Sequence, residues 1–191
     1  MEILTAVVLR SIDTDISLKE VYLPKQSVEE SILLNLAQSS QSDMEWLEGF
    51  VGGPNNLTSR IGEVISHRLE LAGKHLRNGD SFLVIKEYRT SISRHYYAMY
   101  HSARAICFGY HRGDDYQKHF VLPKHMPDDL EDRWRFSGTL NESRLLRNMA
   151  DYDLYPLDES KWSKDANRMS SLASEFVSVC EEYAKFKGWL K

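Results

Sequence analysis

From Ser27 onwards, apolar residues recur every three or four positions, which is the spacing of one helix face. Ser27 and Glu30 have the spacing of a capping box and predict a helix start, and Thr139 with Glu142 predicts another. The pattern predicts four long helices at about 57–77, 80–110, 139–151 and 160–187, with shorter ones near 44–51 and 128–136. This succession predicts an all-α fold, an up-and-down helical bundle.

Two glycine-containing stretches are predicted to separate helices. Asn78-Gly79 is expected to end the helix that starts near Leu57, because glycine is common just after a helix C-terminus. Gly52-Gly53-Pro54-Asn55-Asn56 is the clearest linker in the chain. We therefore divide the chain into residues 1–56, a small N-terminal extension, and residues 57–191, the bundle.

The beginning of the extension has a different pattern. Residues 3–9 and 16–23 are rich in β-branched and other apolar side chains, and the polar Asp13-Thr14-Asp15 separates them. This pattern favours a two-stranded β-hairpin that Pro24 would end. A hairpin of two strands is marginally stable alone, so it would have to dock on the rest of the chain.

The segment from Ile85 to Ile106 divides into two faces when it is drawn as a helix. One face is predicted to pack in the core and consists of Ile85, Tyr88, Ile92, Tyr96, Met99, Ala103 and Ile106. The other is a polar stripe of Arg94, Tyr97, His101 and Arg104. A polar face is most often simply solvated, although tyrosine and histidine suit that role less well than glutamate and lysine. The stripe also offers phosphate donors, a stacking surface and a titratable group, which suits an RNA-facing groove or a subunit interface.

The net charge of −4 conceals three segments of different sign. Residues 1–59 carry −6, residues 60–112 carry +5 and residues 113–191 carry −3. The polar stripe lies in the basic segment, whereas the acidic segment nearly coincides with the N-terminal extension. We hypothesise that the extension docks against the basic groove of its own chain or of a sister chain and occupies it.

Composition excludes several classes of protein. With 42% hydrophobic residues among 191, the chain can bury a core, and no run of 18 apolar residues offers a membrane span. Glu2 precedes the first apolar run and no small-residue cleavage site follows it, so no secretory signal is predicted. Cys107 and Cys180 lie far apart in apolar surroundings, which favours a reducing, cytoplasmic location. His119 and His125 lack further ligands nearby, so neither a metal site nor a cofactor is predicted.

Two motifs resemble the signatures of one known family. The segment that resembles the second-helix signature of HEPN domains is Ser93-Arg94-His95-Tyr96-Tyr97-Ala98-Met99-Tyr100-His101-Ser102-Ala103-Arg104-Ala105. Arg147-Asn148-Met149-Ala150-Asp151-Tyr152-Asp153 resembles the later signature, in the HEPN branch whose motif has Arg and then Ala-Asp-Tyr. His119 matches a loop position where that branch often has histidine. The resemblance covers roughly residues 60–187.

The resemblance implies a fold and a function. HEPN domains are all-α bundles that dimerise, with the functional groove along the dimer seam. Many are metal-independent endoribonucleases that act as toxins or antiviral effectors, often encoded beside a minimal nucleotidyltransferase antitoxin. In their catalytic motif an arginine steadies the phosphate, and a histidine four to six residues later performs acid–base chemistry around the 2′-hydroxyl.

The chain departs from that motif at the histidine. Arg147 is present, but Tyr152 stands where the histidine is expected, and no histidine follows His125. Tyrosine, with an ordinary pKa near 10, is a poor general base at neutral pH. His101 is the best substitute and His119 the second, while Arg147 and Asp151 have the i, i+4 spacing of an ion pair on one helix.

Three functional hypotheses follow. In the first, the chain is a HEPN-domain protein of a prokaryotic toxin–antitoxin or defence system that binds RNA or a partner, with a degenerate nuclease motif. In the second, it is an endoribonuclease that uses His101 or His119 with Arg147. In the third, it is a structural homodimer that scaffolds a neighbouring nucleotidyltransferase. The RNA-binding or dimer groove is assigned to Arg94, Tyr97, His101, Arg104, His119 and Asp151, with Arg147, His101 and Tyr152 as the candidate catalytic residues.

Overall fold

The computed structural model describes residues 26–50 and 55–190, and within them every regular element is helical. The α-helices are α1 (Val28–Gln38), α2 (Gln41–Phe50), α3 (Asn55–Val84), α4 (Tyr88–His111), α5 (Arg133–Tyr152) and α6 (Ser163–Phe186). Two short 3₁₀ helices, Leu122–His125 and Glu159–Trp162, precede α5 and α6 respectively. The prediction of an all-α fold is confirmed for these residues, while the predicted hairpin and Gly52-Gly53-Pro54 lie outside them.

Helices α3 to α6 run alternately up and down around one core. Gly79, near the end of α3, contacts Ser91, near the start of α4. Arg89, also near the start of α4, contacts Ala150, near the end of α5. Contacts between the end of one helix and the start of another show that the two helices are antiparallel. Helix α4 lies at the centre and contacts α3, α5 and α6. Its fully buried side chains include Ile92, Tyr96, Met99, Ala103 and Ile106, as the predicted core face requires.

The first two helices pack on this bundle. Ser27 Oγ accepts a hydrogen bond from the backbone N–H of Glu30 (3.1 Å), and Glu30 Oε2 accepts one from the N–H of Ser27 (2.7 Å), which confirms the predicted capping box. The helices bury Leu33, Leu36 and Met44 in the same core as α3 to α6. One hydrophobic core therefore extends across residue 56. The predicted boundary between an extension and a bundle at that residue stays a prediction.

Acidic residues of α1 and α2 pair with the basic segment. Glu29 accepts a hydrogen bond from Arg60 (2.7 Å), and Glu48 pairs with Arg112. These contacts lie on α3 and at the C-terminal end of α4, away from Tyr97 and His101. Helices α1 and α2 carry −5 of the −6 charge of residues 1–59. Residues 1–25, for which docking in the groove stays a prediction, lie outside the described residues and carry a net charge of only −1.

The prediction that Asn78-Gly79 ends a helix is wrong, because α3 continues to Val84. Gly79 is required by packing: a Cβ atom there would lie 2.7 Å from the ring of His95, which is fully buried. His95 Nε2 lies 3.0 Å from Asp80 Oδ1, and Ser91 Oγ donates to the Gly79 carbonyl (2.9 Å). The glycine therefore permits close approach of α4 and marks no helix end.

Because α3 ends at Val84, the next helix starts later than predicted. The chain turns at Lys86, whose φ is 65°, and α4 begins at Tyr88, not near residue 80. Ile85 consequently lies in the turn and is 64% exposed, so its assignment to the core face is wrong. Tyr88 is partly buried against the core.

A second correction concerns the helix predicted near residues 128–136 and the capping box at Thr139. Residues 128–132 form turns, and one helix, α5, runs from Arg133 through Thr139 to Tyr152. Phe136, Leu140 and Ser143 are buried at helical spacing across the predicted break. That continuous buried face outweighs the local capping motif.

Candidate functional site

An open cleft of about 730 Å³ runs along α4, between α3 and α5. Its lining is mainly polar and consists of His75, Glu87, Arg89, Thr90, Ser93, Arg94, Tyr97, His101, Arg147, Ala150, Asp151 and Glu159. We call it the Tyr97 cleft. It brings together three of the four residues of the polar stripe with Arg147 and Asp151 of the second HEPN-like motif.

The antiparallel course of α4 and α5 orders the residues along the cleft. Ser93 Oγ donates to Asp151 Oδ2 (3.4 Å), and one turn further along α4 the Tyr97 hydroxyl accepts from Arg147 (2.8 Å). Glu87 and Glu159 lie at the end where α4 begins, and His101 lies at the other end. Glu87 directly precedes α4, and His101 lies 13 residues after Tyr88, a rise of roughly 20 Å along the helix axis at 1.5 Å per residue. Carboxylates thus lie at one end and imidazoles at the other, with Arg94 and Arg147 between them.

Arg147 is held in place by its neighbours. Its guanidinium carbon lies 5.2 Å from the centroid of the Tyr97 ring and 5.5 Å from that of Tyr152. Arg147 Nε is 2.7 Å from Asp151 Oδ2, a close ion pair although the N–H is poorly aligned for a hydrogen bond. The predicted i, i+4 pair is thus present, and it fixes a partly exposed guanidinium at the cleft wall.

His75, a residue that the sequence reasoning missed, stacks on His101. Their ring centroids are 5.3 Å apart with the planes inclined by 6°, and the Tyr97 ring lies 5.5 Å from that of His75. His75 comes from α3, so no motif on α4 could have revealed it. The same holds for Glu159, which joins the cleft by accepting from the backbone N–H of Arg89 (2.7 Å).

Both stacked imidazoles are neutral at pH 7. Burial, aided by His75, Arg104 and Arg68, lowers the pKa of His101 to about 4. Burial and the nearby guanidinium of Arg94 also lower the pKa of His75. Neutral imidazoles can accept a proton or a hydrogen bond from a ligand.

His119 contacts the Tyr97 ring without lining the cleft itself. Its Nδ1 lies 2.6 Å from the Tyr96 hydroxyl, and its ring stacks on Tyr100 at 4.2 Å and meets the edge of Tyr97 at 6.1 Å. Burial lowers its pKa, and the charge of Arg147 contributes. His119 opens instead on a separate cavity of about 500 Å³ beside Lys118.

The structure places Arg104, the last residue of the polar stripe, outside the cleft. Its Nε donates to Asp114 Oδ1 (2.9 Å), and Arg68 donates to the same oxygen (3.0 Å). The side chain of Asp114 is only 2% exposed. Arg68 also donates to the Ala37 carbonyl, so this buried cluster fastens α1 and the connection after α4 to the bundle.

Tyr152, in the position of the expected histidine, is 74% exposed at the end of α5.

Among the described residues that line the cleft, Arg89 donates hydrogen bonds to the carbonyls of Ala150 and Asp153, whereas Arg94 has no carboxylate within ion-pair distance. Arg94 and Arg147 are therefore the cations that face a ligand.

Two further properties concern the described residues as a whole. No three histidine, cysteine or acidic side chains among them converge on a position that could hold a metal ion. None of their helices combines the length and the apolar composition needed to cross a bilayer.

Comparison of the chain with protein-family models, with curated proteins and with solved structures finds no match.

Proposed function

We propose that the chain is a HEPN-type protein of a prokaryotic toxin–antitoxin or defence system that binds single-stranded RNA in the Tyr97 cleft without cleaving it. The observation that carries the proposal is the meeting of Arg94, Tyr97 and His101 of α4 with Arg147 of α5 and His75 of α3 in one open cleft. These residues come from two motifs about 50 positions apart and from a third helix. The resemblance to HEPN signatures supplies the expected biological setting.

The chemistry of the cleft suits an unpaired strand. Arginine guanidinium groups bind phosphates through charge-assisted hydrogen bonds, and bases stack on the faces of tyrosine and histidine. Arg94 and Arg147 provide the first kind of contact, and Tyr97 with the His75–His101 pair provides the second. A duplex would offer its phosphates but not its base faces to such a surface.

The local chemistry also argues against rapid cleavage. Tyr152 replaces the histidine of the motif and has an exposed phenol, which is a poor proton acceptor at neutral pH. Arg147, the other member of the motif, is paired with Asp151. Binding needs no acid–base pair, whereas attack of the 2′-hydroxyl on the adjacent phosphorus, with loss of the 5′-oxygen, is slow without a base and an acid.

The proposal is tested with a fluorescent single-stranded RNA of about 12 nucleotides in anisotropy titrations. Arg94→Ala and Arg147→Ala should each weaken binding several-fold and equally across sequences, because phosphate contacts carry no base information. The matched control is Arg168→Ala, an exposed arginine of α6 that pairs with Glu142 away from the cleft. Equal affinity of all four proteins would contradict the proposal.

One observation favours the alternative of an endoribonuclease. His101 lines the same cleft as Arg147, and His119 flanks Tyr97 from the other side, so an Arg–His constellation exists without a histidine at position 152. Incubation with structured RNA, with and without EDTA, separates the two functions. Metal-independent cleavage that is lost in both His101→Ala and Arg147→Ala would establish the alternative.

Exposed apolar side chains on α5 and in the connection after it support a homodimer. Leu145, Met149 and Tyr152 share one exposed face of α5, and Leu154, Tyr155 and Leu157 continue it in the connection that follows. We propose that a second copy covers this surface, because the resemblance to HEPN domains implies a dimer. The Tyr152 ring, 5.5 Å from the guanidinium carbon of Arg147, links this surface to the edge of the cleft. A minimal nucleotidyltransferase is the alternative occupant that the resemblance suggests.

Light scattering after size-exclusion chromatography tests the dimer. A dimeric mass that Met149→Glu and Leu154→Glu convert to a monomer supports it, with the exposed Phe186→Glu on α6 as the control. A monomeric mass for the unaltered protein would contradict it and leave the surface for the nucleotidyltransferase.

A further inference from the structure

The stacked pair of His75 and His101 lies at the end of the Tyr97 cleft opposite Glu87 and Glu159. The rings lie nearly parallel at 5.3 Å, each on a different helix, so a positive charge on either ring is close to the other. His75 Nδ1 is buried and has no hydrogen-bond partner among the described residues. A protonated His75 would therefore carry an N–H that the protein itself does not satisfy.

Charged and titratable groups face the pair from every neighbouring element. They are Arg68 from α3, Arg94, Tyr97, Tyr100 and Arg104 from α4, His119 from the connection after α4, and Arg147 and Asp151 from α5. Asp114 pairs with both Arg68 and Arg104, so this cluster keeps one positive charge, and Asp151 pairs with Arg147. Arg94 lowers the pKa of His75 and has no carboxylate within ion-pair distance in the described part of the chain, so the surroundings of the pair disfavour a further positive charge.

A bound phosphate would reverse this balance. A phosphate bound between Arg94 and Arg147 would lie in the same cleft as both imidazoles. Its negative charge would favour the protonated form of a nearby imidazole and so raise the histidine pKa.

We propose that RNA binding in the Tyr97 cleft is coupled to uptake of a proton by the His75–His101 pair, so that affinity for RNA rises as the pH falls. This inference rests on the proposed RNA-binding function and adds a regulation to it. By linkage, the dissociation constant falls as the pH falls wherever the complex binds more protons than the free protein.

The size of the effect follows from the pKa change that binding must produce. Burial and the neighbouring cations hold the pKa of His101 at about 4 in the free protein. If the complex restores the ordinary histidine pKa of about 6.5, the RNA dissociation constant at pH 5.5 is about one tenth of that at pH 7.5. About one proton is then taken up per RNA bound at pH 5.5.

The experiment titrates the full-length protein with a fluorescent 12-nucleotide oligouridylate at pH 7.5 and pH 5.5, at constant ionic strength. Calorimetric titrations at pH 5.5 in two buffers of different ionisation enthalpy count the protons taken up. His75→Gln/His101→Gln should bind RNA with nearly the same affinity at both pH values and take up no proton. The control is His67→Gln, an exposed histidine of α3 outside the cleft, which should keep the tenfold change. Circular dichroism at both pH values verifies that each protein is folded.

The outcomes separate this inference from the function on which it rests. RNA binding that is equally tight at both pH values, without proton uptake, overturns the inference and leaves RNA binding established. A pH dependence that survives in His75→Gln/His101→Gln also overturns it, because other groups must then be titrating. No RNA binding at either pH overturns both.

Discussion

The carboxylate of Asp151 competes with any phosphate for Arg147, because the two side chains already form an ion pair at 2.7 Å. Asp151→Asn keeps the shape of the side chain and removes its charge. We expect RNA affinity to rise roughly twofold to fivefold, which is what loss of a partly exposed ion pair worth about 0.5–1 kcal/mol allows. Anisotropy titration measures it, with Glu142→Gln, an exposed carboxylate paired with Arg168, as the control. Weaker binding by Asp151→Asn would show that the carboxylate orients Arg147 for its ligand.

Several residues of the cleft could be identified from the sequence. Arg94, Tyr97 and His101 could be singled out because their spacing puts them on one helix face, and Arg147 because of its motif. Arg104 has the same spacing, but the buried Asp114 after α4 withdraws it from the cleft. His75 could not be found, since only the crossing of α3 and α4 sets it against His101.

At the scale of the helix, Gly79 shows how packing overrides local sequence signals. Replacing glycine by alanine inside a helix ordinarily stabilises it by about 0.5–1 kcal/mol. Gly79→Ala should instead lower the free energy of unfolding by about 1–3 kcal/mol, because the new methyl group would lie 2.7 Å from the His95 ring. Gly138→Ala in α5, where nothing lies within 4 Å, should show the ordinary gain. Urea unfolding measures both, and equal stabilisation by the two variants would refute the packing account.

The Arg68–Asp114–Arg104 cluster joins three elements and has a separate prediction. Asp114→Ala leaves two partly buried guanidinium groups without their carboxylate, and removing one partner of a buried pair costs about 3–5 kcal/mol. We expect a large fall in the urea midpoint, together with faster hydrogen exchange in α1, because Arg68 also holds the Ala37 carbonyl. Glu142→Ala, which removes an exposed ion pair, should change stability by less than about 1 kcal/mol. Similar effects of the two variants would contradict the clamping role.

Element boundaries were predicted well where a capping side chain or a buried face was decisive. Ser27 and Glu30 began α1 as expected, and Asp158 accepts from the backbone N–H of Ser160 (3.0 Å) at the approach to α6. The breaks at Gly79 and Thr139 were wrong because each motif lies on a helix whose burial continues past it. Local motifs specify ends only when tertiary packing agrees with them.

For the molecule as a whole, buried neutral histidines make stability depend on pH. Burial lowers the pKa of His75, His95, His101 and His119. Between about pH 6.5, the ordinary histidine value, and pH 4, the folded-state value of His101, the unfolded chain binds protons that the folded chain does not. The free energy of unfolding should therefore be greatest above pH 6.5 and fall towards pH 4. Urea midpoints at pH 7.5 and 5 test this, and His101→Gln should show a smaller fall; a fall unchanged in that variant would assign it to other groups.

Charge alone gives little reason for the first part of the N-terminal extension to occupy the groove, because residues 1–25 carry a net charge of only −1. Deletion of residues 1–50 would remove Leu33, Leu36 and Met44 from the core, so it would disturb folding as well as any groove contact. Deletion of residues 1–25 is the cleaner change. If that segment occupies the groove, its removal should increase RNA affinity at low salt, measured by anisotropy; unchanged or weaker binding would reject the idea.

The central claim is that the guanidinium groups of the Tyr97 cleft neutralise RNA phosphates. Its most direct test is the salt dependence of RNA binding by the unaltered protein and by Arg94→Ala/Arg147→Ala. Each phosphate contact on a single strand contributes about 0.7 to the slope of log Kd against log salt concentration. The double variant should therefore bind more weakly at low salt, with a slope smaller by about 1.4, while Arg168→Ala keeps the original slope. An identical slope and affinity in the double variant would contradict the assignment of this cleft as the RNA site.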